Sequence, residues 1–246
     1  MNKPLISVIT VTLNSEKTLA KAIESVLNQT YDKVEYIVMD GGSTDATMQI
    51  AREYQERFAA KGYDMKIISE ADRGMYDALN KGVALAAGDV IGQINSDDWY
   101  EPDALETVAN KFMEEPFDLF WADLRIIKPS GEMIKKARIR NFVSTKDWSH
   151  PTTFIRAEIY KNNPYSLISM YDDFELILRL RKQGVKMAVE NKVLANFVFG
   201  GMSTKKNLKD TVRRIKLSCN NYKINGYGLP YYIDRVVVET AKFILG

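Results

Sequence analysis

The sequence predicts an α/β fold, in which a mostly parallel β-sheet is flanked by helices and followed by a helical C-terminal segment. Two observations carry this prediction. Over the first hundred residues, short β-rich runs alternate with segments of helical periodicity. Parallel strands need a crossover, and this is most often a helix, so the alternation indicates a parallel sheet covered on both faces. In addition, polar and acidic residues follow the predicted strands, where such sheets bind ligands.

The first half contains four predicted strands and three predicted helices. The strands are β-branched and apolar, and they cover Leu5–Thr12, Val34–Met39, Met65–Ser69 and Val90–Ile94. The helices are indicated by apolar residues at helical spacing. These residues run from Leu19 to Leu27, from Met48 to Phe58 and from Met75 to Ala86, with Gly88 expected to end the third helix.

The second half is less regular. Asp118–Ile127 and Glu132–Ile139 flank a turn-like Lys-Pro-Ser-Gly break, which predicts a hairpin. We predict a helix over Asp172–Gln183, ended by Gly184, and an amphipathic helix over Asn207–Tyr222. We therefore expect one domain over residues 1–205, divided into halves at residues 100 and 101, followed by a helical segment over residues 206–246.

Composition excludes several classes of protein. The formal net charge is +2 over 246 residues, so the average surface does not suit a nucleic acid. A single cysteine, Cys219, excludes an internal disulfide and a cysteine-rich metal site, and it suits a reducing cytoplasm. The sequence also lacks a secretory signal pattern and an apolar run long enough to cross a bilayer. We therefore expect a cytoplasmic protein.

The end of the fourth strand carries the strongest chemical signal. Asp97 and Asp98 are adjacent carboxylates that repel each other, so they are tolerated in water or beside a cation. Mg²⁺ and Mn²⁺ take such oxygen ligands and commonly bridge to substrate phosphates. A solvated turn before the helix near Pro102 is the competing interpretation, and the pair alone supports both equally.

Two nucleotide-binding designs are absent from the sequence. The first strand is followed by Leu13–Lys17, which has no glycine to let the backbone approach a pyrophosphate. This excludes a dinucleotide-binding site there. The sequence also has no Gly-Lys-Ser/Thr phosphate loop. A nucleoside diphosphate would therefore depend on a metal bound by the aspartates.

The chain resembles the family-2 glycosyltransferases, which have the Rossmann-like GT-A fold. The resemblance covers about the first 205 residues, and within the family it is greatest to bacterial enzymes that build surface polysaccharides. The matching motifs occur in the family's order. They are Ile6–Asn14, Gln29–Tyr31, Tyr36–Asp45, Asp72–Gly82, Ile94–Asp98, His150–Phe154, Asp172–Leu180 and Gly200–Ser203.

The resemblance implies roles for particular residues. Thr12, Asn14 and Asp40 would frame the nucleoside, with Asp40 facing the base, and Asp72 would lie against the base or ribose. Asn95, Ser96 and Asp97 occupy the Asp-x-Asp motif, so Asn95 and Ser96 join the donor site, while Asp97 and the following Asp98 would bind Mn²⁺ or Mg²⁺.

The sequence departs from the family's pattern at two of these positions. Gly41 stands where many members have a second aspartate, and this affects the expected nucleotide preference. Asn95 replaces the first aspartate of the metal-binding motif. Its amide oxygen is still a ligand for a hard cation, although it carries no charge.

The catalytic base has alternatives. Asp173 falls at the family's base position, and Asp172 and Glu175 are the substitutes. A carboxylate there would deprotonate the attacking hydroxyl. The competing interpretation is helix capping, since Asp is common at helix starts. His150, the only histidine, is either a third metal ligand, a contact to diphosphate or acceptor, or a structural hydrogen-bonding residue.

The resemblance implies transfer of a hexosyl or N-acetylhexosaminyl group, with inversion, from a nucleotide-diphosphate sugar. A UDP-sugar is the expected donor, and a glycan or lipid-linked hydroxyl is the expected acceptor. A sugar nucleotidyltransferase and a non-catalytic nucleotide-sugar-binding module are the alternatives.

The C-terminal helix also allows more than one partner. Lys206, Lys209, Arg213 and Lys216 share one of its faces and would contact anionic lipid. Alternatively the helix packs Leu208, Val212 and Ile215 on the core. A homo-oligomer through the C-terminal helices is a further alternative.

Overall fold

A computed structural model describes residues 2–200 and 208–245. The strands of the described chain are β1 Ile6–Thr12, β2 Val34–Asp40, β3 Asp64–Ser69, β4 Val90–Gln93, β5 Trp99–Tyr100, β6 Leu119–Lys128, β7 Gly131–Lys135, β8 Phe154–Arg156 and β9 Met187–Val198. The helices are α1 Leu19–Leu27, α2 Thr47–Glu53, α3 Gln55–Ala60, α4 Met75–Leu85, α5 Ala104–Glu114, α6 Ala157–Asn162, α7 Asp172–Lys182, α8 Leu208–Ile224 and α9 Leu229–Leu245.

The first four strands form the parallel half of one sheet, in the order β3-β2-β1-β4. Their register aligns Thr12 with Asp40 and Asp40 with Ser69, so the carboxyl ends of β1, β2 and β3 share one edge. The predicted parallel arrangement is confirmed here. The alternation of strands and helices was sufficient to predict it, because each crossover is made by a helix.

The second half of the sheet is mixed. β8 pairs antiparallel with β4 and β6, β9 runs parallel to β6 and antiparallel to β5, and β6 and β7 form the predicted hairpin. Half of the strand pairings are therefore antiparallel, which is more than the prediction of a mostly parallel sheet implied. The reason is that this part of the chain reverses by a hairpin and short turns, which join antiparallel strands without a helical crossover.

Helices cover both faces of the sheet, as predicted. One apolar cluster lies between the sheet and α1, α3 and α5, and it includes Phe58 and Phe120. The other lies on the opposite face beneath α4, α6 and α7, and it includes Trp121, Phe174 and Tyr222. Because helices cover both faces, β1 and β2 are buried along almost their whole length instead of being buried at alternate residues.

Two helix boundaries differ from the prediction or refine it. The periodic segment from Met48 to Phe58 forms two short helices, α2 and α3, which meet at Tyr54. α7 ends at Lys182, and Gly184 follows with a φ of 75°. A glycine is suited to this left-handed position because it has no Cβ.

The C-terminal segment is a helical hairpin. α8 packs on α7, where the Phe174 and Tyr222 rings are 5.5 Å apart and the Asn221 amide donates to the Tyr171 carbonyl over 2.8 Å. Lys206, Asn207 and the Gly201–Ser203 part of the last motif lie outside the described residues. Within the described part of the chain, no helix is long and apolar enough to span a bilayer.

The predicted packing of the apolar face of α8 is wrong for two residues. Leu208 is 64% exposed and Val212 is 42% exposed, whereas Tyr222 on the same predicted face is fully buried. The first turns of α8 therefore carry apolar side chains that the core does not cover, although Thr211 between them is buried.

Candidate active site

The loops that follow the parallel strands meet at one edge of the sheet. The Gly41 amide donates to the Thr12 carbonyl over 2.9 Å, which ties the end of β2 to β1. The Ser15 and Ser96 hydroxyls lie 2.9 Å apart, which ties the loop after β1 to the turn after β4. The structure therefore brings together the strand ends that carry the predicted donor-binding residues.

Asn14 joins the first two of these loops. Its φ is 49°, a left-handed conformation that Asn adopts more readily than most residues. Its amide oxygen accepts from the Thr44 backbone over 2.9 Å, and its own backbone N–H donates to the Ser43 hydroxyl over 2.7 Å. Nearby, the buried Thr12 hydroxyl has no hydrogen-bond partner among the described residues. An unpartnered polar atom at a strand end is a potential contact for a ligand or a water.

Asp40 organises the loop after β2. Its buried carboxylate accepts from the Ser69 hydroxyl over 2.6 Å and from the Ser43 backbone N–H over 3.0 Å. It also accepts from the Ser43 hydroxyl and from the Gly42 backbone N–H. The resemblance implies that Asp40 contacts the nucleotide base. This geometry does not support that contact, because the carboxylate is hydrogen-bonded to residues of its own loop and to Ser69.

Asp72 takes the space that Gly41 leaves. Its Oδ1 accepts from the Gly74 backbone over 2.7 Å. Its Oδ2 lies 2.6 Å from the position that a Cβ on residue 41 would occupy. The glycine at position 41 thus has a structural consequence, because it lets a carboxylate from the loop after β3 approach the end of β2.

The turn after β4 separates the two adjacent aspartates. The Asp98 backbone N–H donates to the Asn95 carbonyl over 3.1 Å, which closes a tight turn. Asp97 projects from this turn and is exposed, with Asn95 and Ser96 half-buried beside it. Asp98 is only 1% exposed, and its carboxylate accepts from the Val198 backbone N–H over 3.2 Å and from the Asn95 amide over 3.3 Å.

The two aspartates also differ electrostatically. Burial raises the pKa of Asp98 to about 8, and the negative charge of Asp97 adds to the rise. The two neighbouring carboxyl groups therefore differ in environment, since Asp97 is open to water and Asp98 is held inside the protein. The geometry leaves Asp97 as the carboxylate that faces outward, and it does not support a metal contact from Asp98.

The described residues fit a metal that is shared with a substrate. No group of three or more His, Cys, Asp or Glu side chains converges within residues 2–200 and 208–245. A structural metal cage is therefore not formed by this part of the chain. One exposed carboxylate with amide and hydroxyl oxygens beside it does suit Mg²⁺ or Mn²⁺, which commonly take their remaining ligands from phosphates and water.

The three carboxylates at the start of α7 have different environments. Asp172 is fully buried and accepts from the backbone N–H groups of Ile168 and Ser169 over 2.8 and 2.7 Å. Burial opposes the ionisation of Glu175, but hydrogen bonds from Arg179 and Ser166 outweigh it and hold its pKa below the ordinary value. The carboxylates of Asp172 and Glu175 are therefore both engaged in hydrogen bonds within the protein.

Asp173 is the exception among them. Its side chain is 19% exposed, and among the described residues its carboxylate accepts one backbone hydrogen bond, from the Phe174 N–H beside it. Burial raises its pKa above the ordinary value, although the His150 charge and hydrogen bonds from Phe174 and Tyr76 oppose the rise. A carboxylate with a raised pKa and an open side is suited to accept a proton.

His150 connects Asp173 to the end of β4. Its Nδ1 lies 3.5 Å from Asp173 Oδ2 and 3.2 Å from the Gln93 side-chain nitrogen. Gln93 is the last residue of β4, and its side-chain oxygen accepts from the Tyr160 and Tyr165 hydroxyls over 2.7 and 3.0 Å. Burial lowers the pKa of His150, and Asp173 opposes this. The ring is therefore placed against the predicted base.

The Gln93 side chain was not singled out from the sequence. Nothing local marks it, because it lies within an apolar strand and its partners come from Tyr160, Tyr165 and His150, far along the chain. Because Gln93 lies two residues before Asn95, the predicted base and the turn that carries Asp97 are both connected to the end of β4. The structure thus brings the Asp173 region and the Asp97 region to one edge of the sheet.

Comparisons with known proteins agree with this arrangement. The family described as "Glycosyl transferase family 2" matches residues 7–178, which is more than half of the chain. The chain is 27% identical over 237 residues to chondroitin synthase of Escherichia coli. The aligned region covers 93% of this chain but only 34% of that protein. It is 29% identical over 224 residues to a PGL/p-HBAD biosynthesis glycosyltransferase of Mycobacterium bovis (strain BCG / Pasteur 1173P2), covering 89% of this chain and 86% of the relative.

Two solved structures share the fold. S. aureus TarS 1-349 in complex with UDP-GlcNAc superposes with a TM-score of 0.68 at 18% identity, covering 97% of this chain and 72% of that one. The mannosyltransferase PcManGT of Pyrobaculum calidifontis, in complex with GDP-Man and Mn²⁺, superposes with a TM-score of 0.70 at 16% identity. That match covers 100% of this chain and 71% of the other. At these identities, the likeness is one of fold.

Proposed function

The chain belongs to glycosyl transferase family 2, and we propose that it uses a divalent cation to transfer a sugar, with inversion, from a nucleotide-diphosphate donor. The acceptor is a hydroxyl of a glycan or of a lipid-linked saccharide in polysaccharide biosynthesis. The single observation that carries this proposal is that two carboxylates, Asp173 and Asp97, lie at the same edge of the sheet. Burial raises the pKa of Asp173, which lies beside His150 and, through that ring, beside Gln93 at the end of β4; Asp97 is turned outward in the turn that follows the same strand.

The donor site in this proposal is the edge formed by the loops after β1 to β4. It comprises the six residues predicted for the nucleoside and sugar, which are Thr12, Asn14, Asp40, Asp72, Asn95 and Ser96. Support comes from the unpartnered Thr12 hydroxyl and from the Asp72 carboxylate beside Gly41. Asp40 contributes by shaping the loop after β2, because its carboxylate is engaged by Ser43 and Ser69.

Asp97 would hold the cation, with Asn95 and Ser96 as the nearest neutral oxygen donors. When bound, Mn²⁺ or Mg²⁺ neutralises the negative charge that collects on the departing nucleoside diphosphate. Asp98 positions the turn that carries Asp97, because its buried carboxyl group accepts hydrogen bonds from the Asn95 side chain and the Val198 backbone. His150 remains the less supported metal candidate, since its Nδ1 faces Asp173 and Gln93.

Asp173 accepts the proton of the acceptor hydroxyl as that oxygen attacks the anomeric carbon. The bond between the anomeric carbon and the diphosphate oxygen breaks as the new glycosidic bond forms, so the configuration inverts in one displacement. The open side of Asp173 and its raised pKa support this role, whereas Asp172 and Glu175 are bonded within the protein. A positioned base of this kind typically contributes about 10²–10⁴-fold to a rate.

The domain boundaries belong to the same proposal. Residues 1–100 would bind the nucleotide sugar and residues 101–205 the acceptor, with residues 206–246 as a separate helical segment. The division follows the sheet, since β1–β4 carry the donor loops while the hairpin and α7 come from the second part. We further propose a UDP-sugar that carries a hexosyl or N-acetylhexosaminyl group as donor, and a reducing compartment such as the cytoplasm, which suits the single cysteine.

One experiment tests the proposal. The protein is incubated with a panel of nucleotide sugars and Mn²⁺ or Mg²⁺, and release of nucleoside diphosphate is measured with and without a chelator. We expect release that requires the cation, with loss of turnover in Asp173→Asn. Asp32→Asn, a change at an exposed surface carboxylate, is the control. Release that is unaffected by chelation, or an unchanged anomeric configuration in the product, contradicts the proposal.

A further inference from the structure

The outward face of α9 is apolar. Leu229, Ile233, Val236, Val237 and Ile244 follow helical spacing, and each is between 46% and 70% exposed. Thr240 is the exposed polar residue among them. Exposed apolar side chains are ordinary when scattered singly, but a stripe of them along four turns of one helix marks an interaction surface.

The inward face of the same helix contains buried charged residues beside Val238. Arg235 is 1% exposed and donates to the Thr145 hydroxyl over 2.9 Å, while Glu239 is buried and pairs with Arg214 over 2.8 Å. A helix that faces water has the opposite arrangement, with charges outward and apolar residues inward. The exposed apolar face of α9 is therefore suited to contact an apolar partner.

The exposed charges around this stripe are all of one sign. In the described part of the hairpin, the exposed charged side chains are Lys209, Arg213, Lys216 and Lys223. The acidic residues Asp210 and Asp234 are half-buried, and Asp234 lies 3.8 Å from Lys146. The surface thus combines apolar area with net positive charge, which is the combination that anionic lipid attracts.

A neighbouring segment extends this surface. Phe142 stacks on Tyr231 near the start of α9, with 4.4 Å between ring centroids. Phe142 and Ile139 are both exposed, and Arg138 and Arg140 on the same segment are about half exposed. The second segment comes from a different part of the chain, yet it has the same composition of exposed apolar and basic side chains.

We propose that α8, α9 and the segment Ile139–Phe142 form a surface that binds an anionic membrane, with α9 lying in the plane of the interface. A second copy of the chain fits this surface less well, because it would bring two sets of exposed lysines and arginines together without exposed acids on the hairpins to pair them. The inference is independent of the proposed reaction, since it concerns the side of the molecule that meets lipid.

The location gives the surface a consequence for the active site. α8 packs directly on α7 through Tyr222 and Phe174, and the Asn221 amide bonds to the Tyr171 carbonyl, two residues before Asp173. The membrane-binding hairpin is thus attached to the helix that carries the proposed base. If the proposed function holds, a lipid-linked acceptor would reach Asp173 from this side.

The test is flotation of the full chain with vesicles of phosphatidylcholine alone or mixed with phosphatidylglycerol. We expect recovery with the mixed vesicles and little with phosphatidylcholine. The double variant Ile233→Ser, Val237→Ser should lower the recovered fraction about tenfold or more, because two side chains lose their apolar burial. The control is Leu85→Ser, Met133→Ser, which alters two exposed apolar residues elsewhere on the protein and should float as the parent does. Thermal melts establish that both variants are folded.

A second variant separates charge from apolar contact. Lys209→Gln, Arg213→Gln, Lys216→Gln should lower recovery with the mixed vesicles about tenfold or more, since each basic residue near the surface contributes. Added salt should have the same effect on the parent. Equal recovery with both vesicle types, or normal flotation of the Ile233, Val237 variant, overturns the proposal. A different pair of results also overturns the proposal: the parent fails to float, and light scattering shows that the parent forms a dimer that the Ile233, Val237 variant does not form.

Discussion

The His150 ring and the Asp173 carboxylate face each other, with 3.5 Å between Nδ1 and Oδ2. They come from two motifs that are separated by more than twenty residues in the chain, and Gln93 at the end of β4 lies 3.2 Å from the same Nδ1. This contact links the α7 carboxylate to the strand whose turn carries Asp97. Both groups are largely withdrawn from water, so each affects the ionisation of the other more strongly than it would at the surface.

Asp173→Asn should abolish turnover and leave donor binding intact. The amide cannot accept the hydroxyl proton, so we expect kcat to fall by about 10²-fold or more. The measurement is diphosphate release under saturating donor, together with the Kd for the nucleotide. Asp32→Asn should behave as the parent. A large rise in the nucleotide Kd with near-normal kcat would assign Asp173 to donor binding instead.

Activity should fall on the acid side at a pH above the ordinary aspartate range. Burial raises the pKa of Asp173, and the base acts only when ionised. Turnover is therefore lost as the pH falls through a value above about 3.9. The measurement is the dependence of kcat on pH. An acid limb at or below the ordinary value, in a protein that stays folded there, would remove Asp173 as the base.

His150→Phe should shift this acid limb to higher pH. The imidazole opposes the rise in the pKa of Asp173, so its removal leaves burial unopposed and raises that pKa further. His150→Gln, which keeps a polar group beside Gln93 but no charge, should shift it similarly while preserving more of the packing. The comparison is between pH profiles rather than single rates. Identical profiles for parent and both variants would show that His150 is merely structural.

Asp97→Asn should weaken the response to the cation. The loss of the one outward-facing carboxylate of the turn should raise the Mn²⁺ concentration for half-maximal activity by about tenfold or more. Asp97 is exposed, so we expect the free energy of unfolding to change little. The measurement is a Mn²⁺ titration of diphosphate release. An unchanged titration would place the cation elsewhere.

Asp98→Asn should stabilise the protein increasingly as the pH rises. The pKa of Asp98 is raised to about 8 in the folded state, whereas it is about 3.9 in the unfolded chain. The folded state therefore binds the extra proton, and its stability falls with rising pH between these values. Asparagine removes this penalty, by up to about 1.4 kcal/mol per pH unit.

The measurement for Asp98→Asn is urea unfolding of parent and variant at about pH 5 and about pH 8. Since Asn95 and Val198 remain available as partners, the advantage of the variant over the parent should be small at the lower pH and much larger at the higher one. An advantage that does not depend on pH, or a variant that is less stable at both, would contradict the assignment of a raised pKa.

Gly41→Ala should weaken donor binding with little cost in stability. The added Cβ would meet Asp72 Oδ2 at 2.6 Å, and that carboxylate is the end of a side chain that is able to move away. We expect a rise in the KM for the donor, because Asp72 is displaced from the strand edge. Gly228→Ala is the matched control, since its Cβ would have only a 3.9 Å neighbour. An unchanged KM would separate Asp72 from the donor site.

Much of the first half of the protein was predictable from local pattern. The four parallel strands and their crossover helices follow from residues that are neighbours in the sequence, because burial on both faces requires continuous apolar runs. The hairpin of β6 and β7 followed from one turn signal. The order of the remaining strands could not be predicted in this way. β8 and β9 pair with strands that are distant in the sequence, and no short pattern encodes that pairing.

The sequence by itself determined which residue types stand at the strand ends and at the start of α7, since these follow from the position of each motif along the chain. Only the tertiary structure decided which carboxylate of each group is open to a substrate or a cation. Asp97 and Asp98 are adjacent, but the Asp98 carboxylate turns inward, where the backbone N–H of Val198, a hundred residues away, donates a hydrogen bond to it. Asp172 and Glu175 are likewise engaged by Ile168 and Arg179, which leaves Asp173 open beside His150. Ionisation depends on burial and on neighbours in space, and these exist only once distant segments have packed together.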